Sequence, residues 1–405
     1  MLPSSLPEHD QPLPRLPSEL ILEVIEWCGQ LPDERAKTLA SLCRLARAYQ
    51  AVAKRALYSR ILLEWGTSER QTALHTTPSG VESGEVPHGT ALHTLVHEPR
   101  LAPLVKALEI GFTAKALASV EVAHLLDNLT NVEEVTFTEQ CLAGLRRVVS
   151  QEAARILRLR AGSWDDAVAA LVREHPEAFK TLRRLDLQHL TLSHSVIPFP
   201  LKTLEALTVE QAVDPAALAS LTASCRDKLT SLRLPVNPGA PSFRLASFVS
   251  LVQLGLLVEN EDEGTAFGRM VPRIVSILLS AASLPFLASL SITGRTSTST
   301  VTPAPGYTSP PRLEMSSKQV LNAIPFQIQH LSLDTSCFLA SDVVSYLLSP
   351  CRPPSLRSFR AGDDTGVGLA RLLRRTTGRY AELASTLDQA GVAVTTVDGA
   401  RRVTW

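Results

Sequence analysis

The chain has 405 residues, 45% of them hydrophobic and 20% charged, which excludes an intrinsically disordered protein and allows a sizeable core. Forty basic residues balance forty acidic ones at a pI near 7.2, so no overall field draws the chain to nucleic acid or an anionic membrane. Six cysteines without a CxxC pair fall mostly in apolar stretches, where a reduced thiol acts as a small hydrophobe; this points to the cytoplasm or the nucleus.

Residues 1–14 are proline-rich and polar, without the apolar run of a secretory signal, and are expected to be disordered. Pro17, Ser18 and Glu19 mark a helix start: extended geometry before the proline, a side-chain cap, and an acid at the positive end of the dipole. Leu20, Ile21, Val24, Ile25 and Cys28 line one side of this helix, while Leu22 and Trp27 point elsewhere. More apolar surface is present than one packing face uses. After a turn, Asp33 can cap a second apolar-periodic stretch running from Ala36 through Leu57. So few helical residues bury too little surface to stand alone comfortably.

The string Leu16-Pro17-x-Glu19-Leu20-Ile21-Leu22-x-x-Ile25, then Leu39-x-x-Leu42-Cys43-Arg44-x-x-Arg47-x-Tyr49, then Leu57-Tyr58, resembles an F-box, with Tyr49 where many members carry Trp. An F-box is a three-helix module that docks on the Skp-type adaptor of a cullin ubiquitin ligase. The resemblance implies a module over 15–63 whose spare apolar surface is covered by that adaptor. Its contacts would come from Leu16, Pro17, Leu20, Ile21, Ile25, Leu39, Leu42, Cys43, Tyr49, Leu57 and Tyr58. Residues 64–100 read as a linker, most polar from Thr67 to Pro87.

From Val105 onward a phrase recurs, apolar-x-x-apolar-x-apolar: Val105/Leu108/Ile110, Val132/Val135/Phe137, Ala154/Leu157/Leu159, Leu182/Leu185/Leu187, Leu204/Leu207/Val209, Leu229/Leu232/Leu234, Leu251/Leu254/Leu256, Leu287/Leu290/Ile292, Ile328/Leu331/Leu333 and, weakly, Leu356/Phe359. Successive starts lie 22–28 residues apart except for two steps of 36 and 41. Those long steps locate insertions at Glu259–Met270 and Gly294–Arg312; the second is rich in Ser, Thr and Pro, reads as a mobile loop, and offers Thr302-Pro303 and Ser309-Pro310 to a proline-directed kinase. Between the phrases lie helical stretches such as Ala114–Leu129 and Asp165–His175, with Asp165-Asp166 at a capping position. The longest apolar tract, Ile274–Ile292, reads as helix, break and strand, not as a membrane span, because it holds five serines and Pro285.

One strand and one helix per short, even period predicts an α/β fold over 101–405 in which stacked units share one core and a curved parallel sheet, with the helices outside. The phrase and its period resemble the irregular leucine-rich repeats often found behind an F-box, without the Asn or Cys that regular families place after the strand. By strand alternation, Glu109, Thr136, Arg158, Asp186, Thr208, Arg233, Ser291, Ser332 and Arg360 should line the concave face as one mixed-charge row that suits a protein partner.

No catalytic constellation accompanies this pattern. His88, His93 and His97 with Glu98 lack the spacing and partners of a metal set and read as solvated. The turn Gly366–Gly368 is followed by Arg371 where a dinucleotide loop needs its third glycine. No cofactor, no metal and no catalysis are expected. Two functions remain: a substrate receptor of an SCF-type ubiquitin ligase, joined to a cullin through the adaptor and holding a protein substrate on its repeats, or a leucine-rich-repeat scaffold without that link.

Overall fold

A computed structural model describes residues 20, 23–25, 27–28, 38–42, 47–65, 91–112, 120–137, 142–151, 154–190, 201–236, 245–260, 265–296, 313–334, 338, 340–362, 385–398 and 401–404. Its centre is one sheet of thirteen strands arranged in the order in which the chain makes them. These are β1 (Arg60–Trp65), β2 (Ala107–Phe112), β3 (Glu134–Phe137), β4 (Arg158–Trp164), β5 (Arg184–Leu190), β6 (Ala206–Val213), β7 (Ser231–Val236), β8 (Gln253–Asn260), β9 (Ser289–Thr296), β10 (His330–Asp334), β11 (Ser358–Gly362), β12 (Ala393–Asp398) and β13 (Arg401–Thr404). Neighbours from β1 to β12 pair in parallel, and β13 folds back antiparallel on β12. The fold is a leucine-rich-repeat solenoid.

Strands β2 to β11 open with the same hydrogen-bond device. One carbonyl accepts from two consecutive N–H groups of the next repeat: Ser59 O from Lys106 and Ala107, Lys106 O from Glu133 and Glu134, Glu133 O from Leu157 and Arg158, Leu157 O from Arg183 and Arg184, at 2.7–3.1 Å. The staircase continues through Arg183, Glu205, Thr230, Val252, Ala288 and Gln329. A second set, invisible in the repeat pattern, reinforces it. The residue just before the first apolar position is polar in six repeats and reaches a main-chain carbonyl of the preceding repeat. Asn131 Nδ2 donates to Pro103 O at 2.8 Å, Thr203 Oγ1 to Lys180 O and Leu182 O at 2.8 and 2.9 Å, and Ser355 Oγ to Phe326 O and Ile328 O at 2.8 and 3.0 Å. Thr181, Ser250 and Gln327 do the same to Ile156, Asp227 and Ala282.

The second and third apolar positions of each phrase form continuous buried rows, beginning Ile61, Leu108, Val135, Leu159, Leu185, Leu207, Leu232, Leu254, Leu290, Leu331 and Phe359. Helices cover this side. Between β3 and β4 lies α1 (Leu142–Val149), which buries Leu145, Val148 and Val149. Next comes α2 (Asp166–Glu174), whose N-cap Asp165 accepts from Ala167 N and Val168 N at 2.9 Å, as expected from the paired acids. The helix α3 (Pro215–Thr222) is started by Asp214 and Pro215 in the same way.

Three expectations are corrected. The third phrase is Ile156/Leu159/Ala161, not Ala154/Leu157/Leu159, since Leu159 pairs with Val135 and Leu185. With this frame the period becomes more even. The boundary expected at Leu63 falls inside the sheet: β1 pairs with β2 from Arg60↔Ala107 to Trp65↔Phe112. Within the stretch 64–100 read as linker, α4 (Ala91–His97) carries Leu95, fully buried in the solenoid core. The insertion read at Glu259–Met270 runs into the long helix α5 (Thr265–Ala281), which Thr265 begins. The extra length went into helix because Ile274, Ile277, Leu278 and Ala281 supply a full buried stripe. The tract from Ile274 to Ile292 is helix, turn and strand as read. Residues 1–14, Thr67–Pro87, Gly366–Gly368 and most of Gly294–Arg312 lie outside the described residues.

The polar residues before the strands should be structural. Thr203→Val removes two hydrogen bonds while keeping shape, and is expected to lower unfolding free energy by about 1–2 kcal/mol; Ser355→Ala should cost about 1 kcal/mol, both read from urea midpoints at unchanged slope.

Candidate functional site

With helices on one side, strand alternation delivers the remaining positions to the open face of the sheet, the one read as concave. The central row runs Glu109, Thr136, Arg160, Asp186, Thr208, Arg233, Gly255, Ser291, Ser332 and Arg360, each the register partner of the next. Eight of the nine expected residues occupy it. Arg158 does not; it stands one position back, in the neighbouring row with Glu134 and Arg184, and Arg160 takes its place. The cause is the local sequence from Ala154 to Ala161, which fits the repeat phrase in two frames two residues apart, and both frames keep the same face buried. Gly255 joins the row unforeseen.

The first six strands carry a charge lattice. Arg158 and Arg184 both hold the Asp186 carboxylate, at 3.1 and 3.0 Å, and that carboxylate is only 7% exposed. Arg60 of β1 reaches Glu134 of β3 at 3.6 Å, and Arg160 of β4 reaches Glu210 of β6 at 3.9 Å, each passing over the strand between. Around β2 and β3 the lattice encloses a hollow of about 210 Å³, with Ala107 and Thr136 among its lining and Arg60, Arg158 and Arg160 around it. Beyond β6 the face changes character. Arg233 lies across Gly255, where a Cβ would meet its Cγ at 2.8 Å, and donates to Thr293 Oγ1 of β9 at 3.2 Å. Past it stand Ser289, Ser291, His330, Ser332 and Ser358, with His330 Nδ1 and Ser358 Oγ 2.8 Å apart.

The N-terminal helical unit has its own small core. Ile25, Cys28 and Leu39 are buried, with Leu42, Val52, Ala56 and Leu57 packed around them. This corrects two expected adaptor contacts: Ile25 is 1% and Leu39 0% exposed, so both serve the chain's own core and offer no docking surface. Leu20 is exposed as a contact requires, and beside it at helical spacing stand Val24 and Trp27, the last 63% exposed. The helix α6 (Arg47–Tyr58) contains Tyr49 and ends at Tyr58, which packs against the solenoid core. Leu16, Pro17, Ile21 and Cys43 lie outside the described residues.

Among the described residues no group of three His, Cys, Asp or Glu is suited to hold a metal ion. Burial pushes the Cys225 thiol up to about 11, which keeps it protonated and unreactive. No helix among the described residues is long and apolar enough to cross a membrane.

No family model matches the chain, and no curated protein matches it. Among solved structures, the leucine-rich repeat-containing protein LegL7 from Legionella pneumophila aligns with a TM-score of 0.42 at 11% identity, covering 85% of this chain and 92% of that one. A TLR13–ssRNA13 complex aligns at 0.35 and 15% identity over 76% and 40% of the two chains, and internalin C2 from Listeria monocytogenes at 0.28 and 15% over 60% and 90%.

Two variants probe the open face. Asp186→Ala leaves two guanidinium groups side by side without their counter-charge and should cost about 1–3 kcal/mol in a urea titration, whereas Arg158→Gln should cost less because Arg184 still satisfies Asp186. Gly255→Val should lift Arg233 off the sheet, read as loss of the hydrogen-bonded Nη resonance of Arg233.

Proposed function

We propose that this chain is a non-catalytic protein-binding receptor that holds a protein substrate on the open face of its repeats and docks a Skp-type adaptor, and through it a cullin ligase, with its N-terminal helices. The observation that carries the adaptor half is the exposed stripe Leu20, Val24 and Trp27 on a helix whose adjoining side, Ile25 and Cys28, already has a core of its own. Apolar side chains left out at helical spacing after the inner face is filled are what an interface supplies with a partner. The resemblance of Leu16–Ile25 and Leu39–Tyr58 to an F-box names the partner. The open face supports the substrate half: it offers paired charges and hydroxyls across many strands, the chemistry that scattered polar contacts with a protein partner use.

A second reading has its own support. The helix α6 leads directly into β1, and Tyr58 packs on the solenoid core, so the helical unit also closes the N-terminal end of the sheet, as terminal units of repeat proteins must. On that reading the chain is a leucine-rich-repeat scaffold without a ligase link.

Leu20→Ser with Trp27→Ser separates the two. Both side chains are exposed, so the unfolding midpoint should stay within error, while recovery of Skp-type adaptor with the full chain should fall at least about tenfold. Equal recovery with wild type and variant refutes the adaptor reading and leaves the scaffold.

A further inference from the structure

Among the described side chains of β1 to β6, each arginine has a carboxylate, with Arg158 and Arg184 sharing Asp186, and Glu109 is left without a cation. Arg60 is held by Glu134, Arg158 and Arg184 by Asp186, and Arg160 by Glu210. Glu109, exposed on β2 between these groups, has no hydrogen bond or ion pair among the described residues. Two of those ties lean away from it: Arg158 is drawn toward β5 and Arg160 toward β6. What remains beside Glu109 is the hollow of about 210 Å³, into which the short side chains of Ala107 and Thr136 open room.

We infer that this hollow is a subsite for one cationic side chain, Arg or Lys, of the protein held on the open face, with Glu109 as its counter-charge. The inference rests on the receptor reading above and narrows it to a partner class. The occupant is cationic because Arg60, Arg158 and Arg160 each already have a carboxylate within 3.9 Å, so an incoming carboxylate would gain little from them and would stand beside Glu109. A cation meets the one acceptor left free, and its flexible stem lies on Ala107 and Thr136. An apolar side chain would bury Glu109 without a partner, which costs more than the contact returns. The hollow is open to solvent, so the contribution is to selectivity: a partner with Arg or Lys at the matching position is favoured, and one with Asp or Glu there is repelled.

The test uses the full chain and immobilised peptides of about twelve residues, long enough at roughly 3.3 Å per residue to span several strands, in sets differing only in a central Arg, Lys, Gln or Glu. Wild type should retain the Arg and Lys members about tenfold better than the Gln and Glu members. Glu109→Gln should level that ratio with no change in unfolding midpoint, and Glu109→Asp should restore most of it. A wild-type chain that binds peptides without regard to the central charge, or a ratio that survives Glu109→Gln, overturns the subsite and leaves the receptor reading standing. A third variant, Arg160→Ser with Asp186→Ser and Arg233→Ser, addresses the reading beneath it. If all peptides bind this variant, shown to be folded by its circular dichroism, as they bind wild type, then the open face is not where partners are held, and the subsite falls with it.

Discussion

One backbone arrangement underlies the whole molecule: a carbonyl at the mouth of each strand from β1 to β10 accepts two successive N–H groups from the next repeat. This bond pair locks the register, because the residue that follows the second donor must then stand opposite its counterpart in the strand before. From Ser59 to Gln329 the lock is never skipped, although the chain between strands varies from a one-turn helix to the 17 residues of α5. Insertions are therefore absorbed outside the sheet. The polar residues Asn131, Thr181, Thr203, Ser250, Gln327 and Ser355 tighten the same joint with side-chain donors.

Given the lock, alternation decides the rest. One parity of positions faces the helices and carries Leu, Ile, Val and Phe at near-zero exposure; the other faces away from them and carries mostly charged and hydroxyl side chains, with Leu257 a buried apolar exception. The open face follows from the core's demand for every second residue. Its lateral ion pairs, some bridging over an intervening strand, are possible because parallel strands in chain order set like positions about 4.8 Å apart, within reach of Arg and Glu across two steps. The same geometry leaves Glu109 unpaired and lets Arg233 lie flat over Gly255.

The two ends of the chain meet the solenoid's need for closure differently. At the C-terminal end β13 turns back antiparallel on β12 and ends the parallel series. At the N-terminal end α6 runs into β1, and its Tyr58 touches the shared core while Leu57 stays with the separate cluster of Ile25, Cys28 and Leu39. One helix thus belongs to two cores, which keeps the small unit attached while its Leu20–Trp27 stripe faces solvent.

The repeat phrase, its period, the cap at Asp165 and the break inside Ile274–Ile292 were legible in the sequence, because each is set by interactions within about one repeat: apolar alternation, a side chain bonding N–H groups two and three residues on, a turn where periodicity changes. Eight of the nine open-face residues were legible for the same reason. What the sequence left undecided turns on partners far away along the chain. The stretch from Ala154 to Ala161 satisfies the phrase in two frames, and only pairing of Leu159 with Val135 and Leu185 selects Arg160 over Arg158. Arg60–Trp65 reads as the end of a helical module until Ala107–Phe112 is set beside it. Whether an apolar residue of the first helix is core or surface was equally nonlocal: Ile25 and Trp27 lie two positions apart, and it took Leu39, Val52 and Leu57 folding over one side to bury the first and leave the second in water.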